Sequence, residues 1–257
     1  MGYTKVIISG NNFELYEYER QLRPNLRPRR PRKSSPDIDN LETGGKDTLS
    51  ERQLGRRRDN ARRASVAFRR LTACNLGGSQ PPLLLTLTYK ENIADIAVGY
   101  QDYRSFVQSL RHAYGKTFKY VCVPEFQMRG AVHFHALFWG LPAELYLQER
   151  KTRELADRWG RGFVFLKQTD GSGKLSSYLT KYMSKAFIDP RLKNKKAYVA
   201  SRNIKRPSEM GGVSPLWPIT DDYAVDIEKP IFDKKYYTSF LGNCRYRLFE
   251  IPPDEQK

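Results

Sequence analysis

The chain has 257 residues, with 45 Lys and Arg against 28 Asp and Glu, for a formal net charge of +17. That charge favours a polyanionic partner, nucleic acid or an anionic membrane surface. The 39% hydrophobic content, with 13 Phe, 16 Tyr and 3 Trp, supports a real core and excludes a wholly disordered chain.

No run of about 18 apolar residues is present, so no helix is expected to span a membrane. Cys74, Cys122 and Cys244 are widely spaced and odd in number, which suggests neither a disulfide framework nor a C-x-x-C metal knuckle. Acids occupy the N-terminal stretch where a signal peptide is apolar. The expectation is a soluble protein in a reducing cytoplasm.

Residues 3–18 alternate apolar and polar side chains around Ser9-Gly10-Asn11-Asn12, which predicts a hairpin domain over residues 1–19. Residues 20–50 are rich in proline and arginine and have almost nothing to bury, as expected of an extended basic linker. Residues 51–78 read as a basic helix. Leu54, Ala61, Ala64, Phe68 and Leu71 form one apolar stripe, Ser50 can cap its start, and Gly77-Gly78 can stop it. Its arginines, Arg57, Arg58, Arg62 and Arg63, are candidate phosphate contacts, although a solvated helix face reads the same way.

From residue 79 strands and helices alternate. Strands are predicted over 83–89, 118–126, 131–140 and 162–168, and helices over 100–114, 143–158 and 174–187. A further strand is predicted from Tyr198 to Ile204. This order suggests an α+β fold, an antiparallel sheet with packed helices in a ferredoxin-like arrangement over residues 79–206. Residues 207–257 are expected to pack on that core as a C-terminal extension. Arg202, Lys205 and Arg206, after the last helix, are further candidate DNA-backbone contacts.

Two of the three histidines fall in AVHFHALFW, residues 131–139. On a strand, alternate side chains share a face, so His133 and His135 point the same way about 7 Å apart. Glu125 lies across the predicted hairpin. Two imidazoles and a carboxylate form a donor set for Mg²⁺, Mn²⁺ or Zn²⁺ with open positions. Alone, an H-x-H strand reads more readily as two surface histidines. His112, on the preceding helix, reads as a solvated residue and not as a ligand.

The helix at 174–187 carries Tyr178 and Tyr182 at i, i+4, on one face, each followed by a lysine three residues on, Lys181 and Lys185. A tyrosine hydroxyl beside a metal-bound phosphate can act as a nucleophile, and a nearby ammonium lowers its pKa. Gly171-Ser172-Gly173-Lys174 lacks the spacing of a phosphate loop and reads as a turn.

The strand Leu85-Thr86-Leu87-Thr88-Tyr89, the pair His133-Phe134-His135 with an acid upstream, and the paired-tyrosine helix together resemble the HUH endonucleases of the rolling-circle replication initiator class. The resemblance spans roughly residues 83–186 and is nearest to initiators of small circular single-stranded-DNA phages and related plasmids. It implies site-specific nicking and rejoining of single-stranded or origin DNA with Mg²⁺ or Mn²⁺ on His133, His135 and Glu125. Tyr178 or Tyr182 would attack and leave a free 3′-OH and a covalent 5′-phosphotyrosine, with Lys181 and Lys185 in support. A host polymerase and a host helicase are the implied partners.

Three alternatives remain. A mobilisation relaxase or a transposase can share the site, and a non-catalytic DNA-binding protein needs only the phosphate contacts. An RNA-binding module would stack bases on Tyr89, Phe134 and Phe138.

Overall fold

The computed structural model describes residues 2–20, 51–78, 80–146, 149–169, 186–192, 195–212 and 222–252. In chain order the strands and helices are β1 (Tyr3–Ser9), β2 (Asn12–Tyr18), α1 (Glu51–Ala73), β3 (Leu83–Tyr89), α2 (Ile96–Tyr114), β4 (Lys119–Phe126), β5 (Val132–Trp139), α3 (Glu149–Trp159), β6 (Gly162–Gln168), β7 (Val199–Ala200), β8 (Ser208–Gly212), β9 (Phe232–Thr238) and β10 (Gly242–Glu250). The described residues form two five-stranded antiparallel sheets in two compact units, an α+β fold as the element order predicts.

The larger unit holds residues 9–11 and 56–207. Its sheet runs β6-β3-β5-β4-β7, so the four main strands are ordered fourth, first, third, second, with α2 and α3 as crossovers. This is the ferredoxin-like β-α-β-β-α-β topology.

One face of that sheet presents Leu83, Leu85, Leu87, Phe134, Ala136 and Phe138 to Tyr103, Phe106 and Leu110 of α2 and to Leu155 and Trp159 of α3. Gly99 lets α2 approach closely, since a Cβ there would lie 3.1 Å from the Phe134 ring and 3.2 Å from Val132. Among the described residues, the opposite face is covered at one end. There Val121, Val123, Leu137 and Trp139 meet Phe68 and Leu71 of α1, with Ala186, Phe187 and Ile204. Each buried side chain of this size contributes about 1.5–3 kcal/mol relative to exposure.

α2 starts four residues before the expected helix, because the Asp95 carboxylate caps it by accepting from Ala97 N at 2.7 Å. In place of the one helix expected over 143–158 there are a single 3₁₀ turn, Ala143–Tyr146, and α3. The strand expected from Tyr198 to Ile204 is only two residues long. Ser201 N donates to Tyr120 O at 2.9 Å, and Ile204 N to Ser201 O, so the chain turns away from the ladder. The tyrosine-bearing segment falls in 170–185, outside the described residues, as does the linker at 21–50.

The smaller unit joins the two ends of the chain. Its sheet runs β8-β1-β2-β10-β9, with Leu15 opposite Arg247 and Phe13 opposite Phe249. Val6, Phe13, Leu15, Phe249 and Ile251 form its core with Val225. Where the sequence suggests a hairpin at one end and an extension packed on the nuclease-like core at the other, the strands pair with each other. Register puts Phe13 and Leu15 of β2 on the same side as Phe249 of β10, where they bury one another.

Candidate metal and nucleic-acid site

Among the described residues, the apolar cover on the second face of the larger sheet ends at mid-strand, beside a group of polar side chains on β3, β4 and β5. Register places Thr88, His133 and Glu125 in one cross-strand row, and Thr86, His135 and Val123 in the next. The strand period of two puts both imidazoles on this face, as expected, and Phe134 between them in the core. The rings stack with centroids 4.7 Å apart and planes 29° from parallel.

Glu125 reaches diagonally: its Oε2 lies 2.8 Å from His135 Nε2. A carboxylate only accepts, so Nε2 carries a proton in this pairing, and Nδ1 lies 3.2 Å from the Thr86 hydroxyl, which can donate or accept. Thr86 thereby fixes the plane of the His135 ring.

His133 has no such partners. Its Nε2 is buried without a hydrogen-bond partner among the described residues. Burial, the adjacent His135 and the nearby Arg129 push its pKa down to about 4, against the pull of Glu125. At neutral pH it is an uncharged imidazole with an available lone pair.

The end of the site is braced from below. Arg129, at the β4–β5 turn, donates to the carbonyls of Tyr89 and Lys90 and ties the turn to the end of β3. Tyr89 is buried, its hydroxyl donates to Asp102 at 2.9 Å, and Arg161 pairs with the same carboxylate at 3.1 Å. Trp159 Nε1 donates to Thr88 O at 3.1 Å.

The donor set suits a divalent ion: two imidazoles, a carboxylate and a buried nitrogen that nothing else satisfies. The 2.8 Å separation of His135 Nε2 and Glu125 Oε2 is close to the roughly 3 Å between neighbouring ligands of an octahedral ion with bonds of about 2.1 Å. Among the described residues, however, no three His, Cys, Asp or Glu side chains are gathered around one point. The set fits an ion in kind, and its hydrogen bond closes the site on itself.

The remaining expected residues fall in three groups. Tyr178, Lys181, Tyr182 and Lys185 lie outside the described residues. Ala186 and Phe187, which follow them, pack with Val121, Val123, Leu137 and Trp139, on the same sheet face as the imidazoles. Arg58, Arg62 and Arg63 are exposed on α1, with Arg57 half-buried, and Arg202, Lys205 and Arg206 are exposed. These two basic groups are joined: Asn75, just past α1, donates to Lys205 O at 2.9 Å and accepts from Lys205 N at 3.1 Å. His112 is exposed on α2, as expected.

The base-stacking residues of the RNA-binding alternative are not available. Tyr89, Phe134 and Phe138 are 2%, 0% and 0% exposed, so none offers a ring to a base. The aromatics that do face outward beside the site are Phe163 and Phe165 of β6, which sequence reasoning placed in a strand without a role. Their signal was the F-V-F spacing, which must turn either Val164 or both rings outward.

Residues 82–187, less than half of the chain, match the family model described as replication-associated protein ORF2/G2P. The matched stretch contains β3, β4, β5 and β6, and so the whole polar row, and the match supports a role in replication initiation. No curated protein and no solved structure matches the chain. No helix among the described residues is long and apolar enough to cross a membrane.

Proposed function

We propose that the chain initiates rolling-circle replication by nicking and rejoining single-stranded DNA, with His133, His135 and Glu125 as the ligands of a Mg²⁺ or Mn²⁺ ion. The observation that carries this reading is the stacked pair of imidazoles, one with a buried unsatisfied nitrogen, beside a carboxylate in a chain of net charge +17. The bound ion would polarise the scissile phosphate and offset the charge of its transition state.

The protein side of the reaction follows from the residues. Thr86 can accept as well as donate, so it holds the His135 ring whether Nδ1 or Nε2 carries the proton. His135 can therefore give up its bond to Glu125 and present Nε2 as a ligand without turning its ring. The low basicity of His133 keeps its lone pair free of protons through neutral pH.

Tyr178 or Tyr182 would supply the nucleophile. Its oxygen bonds to phosphorus, the bond from phosphorus to the 3′ oxygen breaks, and the phenolic proton is lost as a 3′-OH forms. One phosphodiester replaces another, so the reaction needs no external energy source, and a later attack by a 3′-OH releases the tyrosine. Two tyrosines four residues apart would let one hold the 5′ end while the other cuts again. The packing of Ala186 and Phe187 on the imidazole face supports bringing this segment to the site. Lys181 and Lys185 would stabilise the phenolate. The exposed arginines of α1 with Arg202, Lys205 and Arg206 would hold the DNA backbone. The released 3′-OH would prime a host polymerase, with a host helicase opening the duplex.

The experiment is cleavage of circular single-stranded DNA bearing the element's own origin, with Mn²⁺ or EDTA, by the wild type and by His133→Ala and His135→Ala. Mn²⁺-dependent linear product lost in both variants supports the reading. Tight binding without cleavage would favour a DNA-binding protein that performs no chemistry.

A further inference from the structure

Phe163 and Phe165 are 68% and 63% exposed, whereas Val164 between them is buried. They stand on β6, the edge strand next to β3, and register puts Phe163 opposite Thr88 and Phe165 opposite Thr86. The two cross-strand rows of the polar site thus continue outward: Glu125, His133, Thr88, Phe163 in one, and Val123, His135, Thr86, Phe165 in the other. Lys167 follows on the same face and is exposed.

This arrangement opposes the hydrophobic effect. Each outward ring forgoes about 1.5–3 kcal/mol that burial would contribute, while the smaller Val164 takes the core position. Gly162 sets the strand's phase. Its φ of +154° and its closeness to the backbone of Thr88 and Lys90 leave no space for a Cβ, so the strand enters with the phenylalanines outward.

We propose that Phe163 and Phe165 form a base-stacking clamp for single-stranded DNA, holding nucleotides beside the phosphate at the imidazoles. The clamp rests on the nickase reading for its substrate. Residues two apart on a strand are separated by about 6.8 Å, twice the roughly 3.4 Å rise between stacked bases. One base therefore fits between the two rings. Two strand spacings, about 10 Å, separate the rings from the histidines, within reach of the nucleotides that flank a held phosphate.

Charge selects the occupant. Lys167 extends the row, and Lys90 and Arg129 stand exposed at its other end, next to Thr88 and His133. Aromatic rings between cations are the composition of a single-strand surface, in which stacking is indifferent to sequence. Duplex DNA cannot use it, because its bases are already stacked on one another.

The test reads binding apart from chemistry. Fluorescence anisotropy of a labelled single-stranded oligonucleotide is measured in EDTA, with Phe163 and Phe165 replaced in turn by Ala, Leu and Trp. Stacking contributes about 1–3 kcal/mol per base, so each alanine should weaken binding between about 5- and 150-fold. Affinity for the duplex and the salt slope should not change, because the rings touch no phosphate. Leucine should fail to restore binding. Tryptophan should restore it, and its emission should fall when the oligonucleotide is added.

Unchanged affinity in the alanine variants, or full affinity with leucine, would overturn the clamp. So would alanine variants that alter the sedimenting mass and leave DNA affinity intact, which would assign the rings to a contact between two copies of the chain. Failure of the nickase reading is separable: a chain that cuts nothing and still shows the stacking signature keeps the clamp, and one that cuts normally without the signature loses the clamp alone.

Discussion

Glu125 stands directly across the ladder from His133, yet its carboxylate bonds diagonally to His135, 2.8 Å from Nε2. The His133 nitrogen is thereby left buried and unsatisfied, at a cost of about 1–3 kcal/mol on its own. Nothing in the packing of the sheet requires that cost, since an apolar residue at 133 would remove it. On the proposed reading, a metal ion would satisfy the His133 nitrogen.

The first prediction concerns Thr86. Replacing it with valine keeps the shape and removes the hydroxyl that orients His135. If the site holds an ion, Thr86→Val should weaken Mn²⁺ affinity by roughly 10–100-fold with little change in melting temperature. Isothermal titration with Mn²⁺ checks this, alongside a thermal melt. Glu125→Gln, which loses a ligand charge, should weaken binding at least as much.

The second concerns pH. His133 is neutral in the folded chain down to about pH 4, whereas an unfolded imidazole protonates near 6.5. Between these values the unfolded state binds more protons, so stability should rise with pH through this window and level off above it. In EDTA, His133→Gln should flatten that rise in urea melts at a series of pH values. A slope unchanged by the substitution would mean that other groups carry it.

A third prediction separates phosphate contacts from ligands. Arg58, Arg62 and Arg63 on α1 and Arg202 and Arg206 beyond β7 are exposed and distant in sequence from the polar row. Each one that meets a phosphate of single-stranded DNA adds about 0.7 to the slope of log affinity against log salt. Alanine at each should lower the slope by about that amount and leave Mn²⁺ affinity unchanged. Filter binding across a salt series gives both slope and affinity.

A fourth concerns the core that carries the strand of histidines. Phe134 is fully buried between them and packs against Tyr103, Tyr100 and Trp159. Phe134→Ala should destabilise the larger unit by about 3–5 kcal/mol and lose DNA binding and Mn²⁺ binding together. Denaturant titration followed by tryptophan emission checks the magnitude.

Local patterns in the sequence were enough to reach the two imidazoles. H-x-H within an apolar run can only put both rings on one side of a strand, and the short β4–β5 turn brings Glu125 opposite. Thr86 was visible only as part of a strand motif, since its partner His135 is 49 residues away and a one-residue slip in register would turn it into the core. Phe163 and Phe165 were hidden for a different reason: hydrophobic strand residues are read as core by default, and only the edge position of β6 frees them. The shared sheet of β2 and β10 joins residues over 220 positions apart, as in the Arg247–Glu17 bond, and alternation alone cannot say which distant strand a partner is. The tyrosine segment was legible as a helical pattern and lies outside the described residues.

In the proposed mechanism a tyrosine of residues 174–187 becomes bonded to DNA. The direct measurement is mass spectrometry of tryptic peptides after incubation with Mn²⁺ and origin single-stranded DNA, for the wild type, Tyr178→Phe, Tyr182→Phe and the double variant. The account predicts a 5′-phosphodinucleotide or longer remnant on Tyr178 or Tyr182, none in EDTA and none in the double variant. Cleavage of that DNA with no adduct on either tyrosine, or an adduct that survives in the double variant, would contradict it.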